Sequence, residues 1–216
     1  MKRAAVPAVL CAAFVVGAAG CGGGSAPPPV PTVLLHPSAL HKTAPATFKA
    51  QFTTTQGSFV VTVTRSWAPL GADRFYNLVL HHYYDNEPLF RVHPGFVVQW
   101  GISGTPAVAK AWQFATIKDD PVTHQNAAGT ITFATSGANS RTTQVFVNLV
   151  SNTFLDSMGF APFGTITSGF SVFSKLYSGY GETPSNNQSL LVEKGADWVH
   201  ATYPRLDWIK TARLVP

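Results

Sequence analysis

The sequence is poor in the side chains on which most enzyme chemistry depends. Its 216 residues include two cysteines, two methionines and only 12% charged residues. The nucleophile elbow G-x-S-x-G, the zinc motif H-E-x-x-H and the phosphate loop G-x-x-x-x-G-K-[ST] are all absent, which removes the commonest signatures of serine hydrolases, zinc proteases and P-loop enzymes. Seven histidines are scattered along the chain. The adjacent pair His81-His82 points to different faces of a helix and cannot share one ion. Asp119-Asp120 reads as a solvated turn rather than an acid–base dyad. No basic cluster follows the first three residues, so nucleic-acid binding has no electrostatic footprint. No metal, cofactor or nucleic-acid partner is expected. What the chain has instead is 45% hydrophobic and 12% aromatic residues, 18 glycines and 16 prolines. That balance excludes disorder and suits one β-rich domain with many turns.

The N-terminus distorts these totals. Lys2 and Arg3 precede an apolar run from Ala4 to Ala19, interrupted by Pro7 and Gly17 and short for a membrane span. Ala18-Ala19-Gly20-Cys21 resembles the lipobox of bacterial lipoproteins, with Ala18 where leucine is usual. That resemblance implies a signal peptide over residues 1–20, cut before Cys21, and a lipid on Cys21. The expected product is an exported bacterial cell-envelope lipoprotein, a monomer membrane-anchored at the periplasmic or extracytoplasmic face. Loss of Lys2 and Arg3 lowers the net charge from +5 to +3. Cys11 leaves with the signal, so the mature chain has no intramolecular disulfide. Residues 21–47, with Gly22-Gly23-Gly24-Ser25 and the Pro27–Pro31 run, read as a semi-rigid spacer. Residues 48–216 then form the domain.

Strand patterns cover Phe48–Thr55, Ser58–Arg65, Leu89–Val92, Phe96–Gly101, Gly129–Thr135, Gln144–Val150, Phe163–Ser168 and Leu206–Val215. A helix is predicted from Pro69 to about Asp85-Asn86, carrying Phe75, Leu78, Val79 and Tyr83. A second is predicted around Phe170, Phe173, Leu176 and Tyr177. An extra helix around Leu190–His200 precedes the last strand. A loop of more than twenty residues runs from Ile102 to Ala128. The fold class expected is mainly β, a closed eight-stranded antiparallel barrel capped by two helices.

One hairpin stands out. In Leu89-Phe90-Arg91-Val92-His93-Pro94-Gly95-Phe96-Val97-Val98-Gln99-Trp100-Gly101, one Arg and one Gln sit on the arms of an otherwise largely apolar turn, with Val97 and Gln99 on one face. The segment resembles the signature of cyclophilin-type peptidyl-prolyl isomerases. Gly129-Thr130-Ile131-Thr132-Phe133-Ala134 with Thr143–Val147, and Phe154-Leu155-Asp156 with Phe160–Gly164, resemble two further family motifs in the same order. Together they cover about Phe48 to Val215. The resemblance implies proline-containing polypeptide substrates and no cofactor. It assigns the catalytic arginine to Arg91 and the proline pocket to Phe96, Val97, Phe146 and Leu155. It lines the groove with Gln99, Ala134, Thr135 and Gln144, Gln99 assisting Arg91. Phe154 stands where many eukaryotic members carry Trp, which implies weak cyclosporin binding. Phe160 or Gly159 stands near the place of a pocket histidine. Two functions remain open at this point: an isomerase assisting exported proteins, or a non-catalytic module of the same fold that binds proline-containing segments.

Those residue types suit amide rotation. The barrier, ~18–20 kcal/mol, is mostly lost C–N resonance, and no bond breaks, so neither nucleophile nor metal is required. An apolar clamp holds the proline ring in ground and transition states alike. Only a donor that meets the freed nitrogen lone pair or the displaced carbonyl acts differentially, and Arg91 is the available one.

Overall fold

The computed structural model describes residues 31–216. The signal-like segment 1–20, Cys21 and the glycine- and proline-rich residues up to 30 lie outside the described residues. Alternating apolar residues form β1 (Thr47–Thr54), β2 (Gly57–Thr64), β3 (Glu87–Pro88), β4 (Arg91–His93), β5 (Val97–Trp100), β6 (Thr130–Phe133), β7 (Val145–Asn148), β8 (Pro162–Ser168) and β9 (Trp208–Val215). All pair antiparallel in one sheet of order β3-β9-β1-β2-β8-β6-β7-β5-β4.

The two edges of that sheet, β3 and β4, are consecutive pieces of one run separated only by Leu89 and Phe90. The expected strand Leu89–Val92 therefore changes partner midway. Upstream the run pairs with β9, and the Leu89 N–H still donates to the Asp207 carbonyl at 2.9 Å; downstream it pairs with β5. The mainly β, antiparallel, barrel-like fold expected is what the structure shows, with nine strands rather than eight in one curled sheet whose ends are joined by covalent chain. Leu89 enters the central core while Phe90 enters a second apolar cluster, so the run serves both.

Strand alternation sorts the side chains. Val92, Val98, Trp100, Ile131, Phe133, Val145 and Val147 point into the central core. There the Phe52 ring lies 5.0 Å from Phe59 and 5.6 Å from Trp100. The intervening residues Arg91, Val97, Gln99 and Phe146 line a cavity on the other face.

The helices depart from expectation in detail. α1 (Pro69–Leu80) stops short of Asp85-Asn86 because His82 and Asn86 adopt positive φ, 63° and 54°. Tyr83 is buried beyond the helix rather than on it. The second predicted helix is a six-residue 3₁₀ segment, Phe170–Lys175, ended by extended Leu176. Phe170, Phe173 and Leu176 recur every three residues, the 3₁₀ period. The long loop contains an unforeseen α2 (Pro106–Trp112), opened by Pro106 in its first turn. The extra helix is preceded by a single turn, α3 (Thr183–Asn186), and itself runs as α4 (Gln188–Thr202), kinked at Gly195 where φ is 69°.

The spacer expected to reach residue 47 is packed over its later part. Leu34, Leu40 and Ala44 are buried, and Thr32–Leu35 and Pro37–Ala39 form 3₁₀ turns. The Leu34 carbonyl accepts the buried Trp112 indole N–H at 2.8 Å. The Ala44 N–H donates to Asp73 Oδ1 at 2.8 Å. Burial of two leucines and satisfaction of an indole donor outweigh the extended preference of the prolines around them. Leu34→Ala is expected to lower the unfolding free energy by about 2–4 kcal/mol, measured from the urea midpoint at constant slope. A change within about 0.5 kcal/mol, the range of an ordinary surface substitution, would show that the segment adds nothing to the fold.

Candidate active site

The β4–β5 hairpin turns through His93-Pro94-Gly95-Phe96, with Gly95 at φ 75° where a side chain would be strained. Its register sets Arg91 directly opposite Gln99, and the next pairing sets Gln99 opposite Phe146 on β7. One lateral row thus holds a cation, an amide and an aromatic ring. The cavity beside it measures about 220 Å³ and is lined by Arg91, Phe96, Val97, Gln99, Ala134, Thr135, Phe146, Leu155, Phe160, Ser185 and Gln188.

Its floor is apolar. Val97, Phe146 and Leu155 form a small buried cluster against Phe96, Ala134 and Phe160, and the Phe146 and Phe160 rings meet edge to face at 5.7 Å. Two predicted residues lie outside this lining. Gln144 is one step away, between the cavity and a more polar recess that also includes Thr135 and Gln188. Phe154 is 58% exposed and stacks on Phe96 with centroids 6.1 Å apart, so it is a lip rather than a wall.

The polar rim is hydrogen-bonded end to end. Arg91 Nη1 donates to Gln99 Oε1 at 3.2 Å, and Gln99 Nε2 donates to Gln144 Oε1 at 2.9 Å. The Arg91 guanidinium carbon stands 5.4 Å from the Phe96 ring centre, a cation–π contact. No hydrogen bond among the described residues engages Arg91 Nη2.

Behind the floor, sequence reading missed a buried amide cluster. Asn126 Nδ2 donates to the Phe160 carbonyl at 2.8 Å, and Asn152 Nδ2 to the Phe96 carbonyl at 3.1 Å. Asn148 joins the two, donating to Asn126 Oδ1 and accepting from Asn152 Nδ2. The cluster pins two pocket aromatics by their backbones. Three separated asparagines in loops and at a strand end give no local signal. Ser185, Gln188 and the nearby Glu182 were also missed, because they reach the site from the segment between β8 and β9.

Among the described residues no group of three or more His, Cys, Asp or Glu is gathered to hold a metal. The arrangement is an apolar recess sized for a small ring, with one fixed cation at its mouth.

Residues 49–193 match the family model described as cyclophilin type peptidyl-prolyl cis-trans isomerase/CLD. The chain belongs to the cyclophilin family. This cyclophilin is 32% identical over 129 residues to peptidyl-prolyl cis-trans isomerase A of Dickeya dadantii, covering 57% of this chain and 68% of that one. It is 31% identical over 126 residues to a peptidyl-prolyl cis-trans isomerase-like 1 of Gibberella zeae, covering 57% and 77%. A crystal structure of a Cryptosporidium parvum cyclophilin-type isomerase superposes with a TM-score of 0.59 at 18% identity, over 79% of this chain and 98% of that one. The same Cryptosporidium protein, solved in the presence of the dipeptide Ala-Pro, superposes at 0.56 and 19% identity, over 78% and 99%. The cyclophilin fold is therefore shared, and in this chain Ser185 of α3 and Gln188 of α4 also line the cavity.

Proposed function

We propose that this cyclophilin is a peptidyl-prolyl cis–trans isomerase that assists folding of exported proteins from a lipid anchor on Cys21. The observation that carries the isomerase reading is Arg91. Its guanidinium is held at the mouth of an apolar recess by Gln99 and Phe96, with no hydrogen bond from Nη2 among the described residues. A proline ring resting on Val97, Phe146 and Leu155 brings the preceding carbonyl to the polar rim. As the amide twists, its nitrogen becomes pyramidal and regains a lone pair, and Nη2 donates to the rotating group. The rim side chains are already fixed to one another, so little reorganisation accompanies the twist. Catalysis by this route asks for a donor, a clamp and exclusion of water, all supplied by side chains.

The test is exchange NMR on a short Xaa-Pro peptide with residues 31–216. Cis–trans exchange well above the buffer rate supports the enzyme. Binding without added exchange would sink the enzyme and favour a module that only holds proline-containing segments. The anchor rests on Ala18-Ala19-Gly20-Cys21 and the glycine-rich residues behind it. Cys21→Ser is expected to move the protein from the membrane to the soluble fraction of a bacterial host. Unchanged sedimentation with membranes would remove the lipid reading.

A further inference from the structure

The segment between β8 and β9 joins the polar rim of the site at two points. Gln188, the first residue of α4, accepts from Gln144 Nε2 at 2.9 Å. Glu182, at the start of α3, takes Arg91 Nε between its two carboxylate oxygens at 2.8 and 3.0 Å. Glu182, Arg91, Gln99, Gln144 and Gln188 thus form one unbroken polar chain along the cavity mouth. Both ends belong to this segment.

We propose that Glu182 is a positioning residue for the isomerisation, bracing the Arg91 guanidinium by Nε so that Nη2 faces the bound prolyl amide. The proposal rests on the isomerase reading of Arg91. Without the carboxylate, the guanidinium keeps only one amide contact at 3.2 Å and the face of Phe96. A side chain with that many rotors and 26% exposure then has several ways to turn. With it, two of the three guanidinium nitrogens are committed and the third is aimed.

Glu182 is itself held. Ser185 Oγ donates to its Oε2 at 2.8 Å. The groups facing it are Arg91 and His93 from β4, with His93 Nδ1 3.4 Å from Oε1, and Ser185 from α3. Among the described residues no other charged side chain pairs with it. Burial pushes its carboxyl up, but the Ser185 hydroxyl, the Arg91 hydrogen bond and the charges of Arg91 and His93 together hold it below its ordinary value of 4.5. It is therefore ionised wherever the enzyme works near neutral pH.

The segment docks independently of this ion pair. The Ala196 N–H donates to the Gly104 carbonyl at 2.8 Å, and a Cβ on Gly195 would collide with that carbonyl. Leu191 and Val199 bury with Phe90, the neighbour of Arg91. Glu182→Gln should leave this docking intact.

The experiment measures peptide exchange and peptide affinity separately for wild type, Glu182→Gln, Glu182→Asp and His93→Ala. Loss of a charge-assisted brace is expected to lower the Glu182→Gln rate at saturating peptide about tenfold, with affinity unchanged within about twofold. Glu182→Asp should recover part of the rate. Because a depressed pKa keeps the brace until the carboxylate is protonated, the wild-type rate should hold on acidification and fall only below pH 4.5. That limb should be missing in Glu182→Gln and present in His93→Ala. A protected Arg91 Nε–H resonance should vanish in Glu182→Gln, reporting the brace without reference to activity. If wild type is active and Glu182→Gln matches it in rate and pH profile, the positioning role is overturned and the isomerase stands. If affinity falls with the rate, Glu182 is a binding-wall residue and the proposal also fails. If wild type is inactive, the isomerase reading fails, and the positioning role fails with it.

Discussion

Arg91→Ala should leave peptide affinity nearly unchanged and cut the catalysed exchange rate by about 10- to 150-fold, the worth of one charge-assisted hydrogen bond of about 1.5–3 kcal/mol. The split follows from where each energy is realised. The clamp of Val97, Phe146 and Leu155 grips the ring in every state of the amide, so affinity survives. The guanidinium meets a group whose accepting power grows only as resonance is lost. Arg91→Lys should be nearly as poor. The native side chain gives Nε to Glu182 and Nη1 to Gln99 while Nη2 remains for substrate. An ammonium is a point charge and cannot serve three directions held in one plane. Exchange spectroscopy at several peptide concentrations separates the two parameters. An Arg91→Ala rate equal to wild type would remove Arg91 from the chemistry.

Asp120→Ala is expected to cost about 3–5 kcal/mol of stability, the loss typical of breaking a buried ion pair by removing one partner. Read from sequence, Asp119-Asp120 is a solvated turn; in the fold Asp120 is almost fully buried. Its Oδ1 accepts the Leu70 N–H at 2.9 Å and its Oδ2 the Gly71 N–H at 2.8 Å, in the first turn of α1. Arg141, equally buried, donates Nη1 to the same Oδ2 at 3.1 Å and Nη2 to the Lys118 carbonyl. Alanine would strand two helix N–H groups and a buried guanidinium at once. Asp119 offers only a partly exposed substitute, with Oδ1 3.4 Å from Arg141 Nε. Removing Arg141 as well should return part of the loss, because the unpaired buried charge leaves with it. Urea titration measures both variants. A loss below about 1 kcal/mol would mean that solvent reaches Arg141 and that burial is not what makes the pair matter.

How far the sequence foretells this molecule depends on the distance over which its information acts. The hairpin carrying Arg91 and Gln99 is legible because alternation and a Pro94-Gly95 turn fix it within a dozen residues. The one polar row follows from that register. Glu182 is 91 positions from the arginine it holds, and Gln188 is 44 from Gln144; no local pattern predicts either meeting. Tyr83 fits the helical period of α1 yet lies past its end, since a buried residue keeps the apolar rhythm whatever the backbone does. Prolines made residues 31–47 look like pure spacer, but Leu34 and Leu40 carried the opposing signal. α2 could have been found: Pro106 opens it, and Ala107, Ala109 and Ala111 are the strongest helix formers in its loop.

β1 is paired on one side with β2 and on the other with β9, and this carries a consequence for biogenesis. Residues 47–54 are synthesised early, but one of their two ladders waits for residues 208–215. The sheet cannot be completed until residues 208–215 have been made, whatever its local hairpins do. For a protein proposed to leave the cytoplasm this delay is an asset. A chain threaded through a secretion channel must arrive unfolded, and here the strand that completes the sheet lies more than 150 residues behind the one it pairs with. The enzyme proposed to hasten the folding of others begins as a slow client of its own topology.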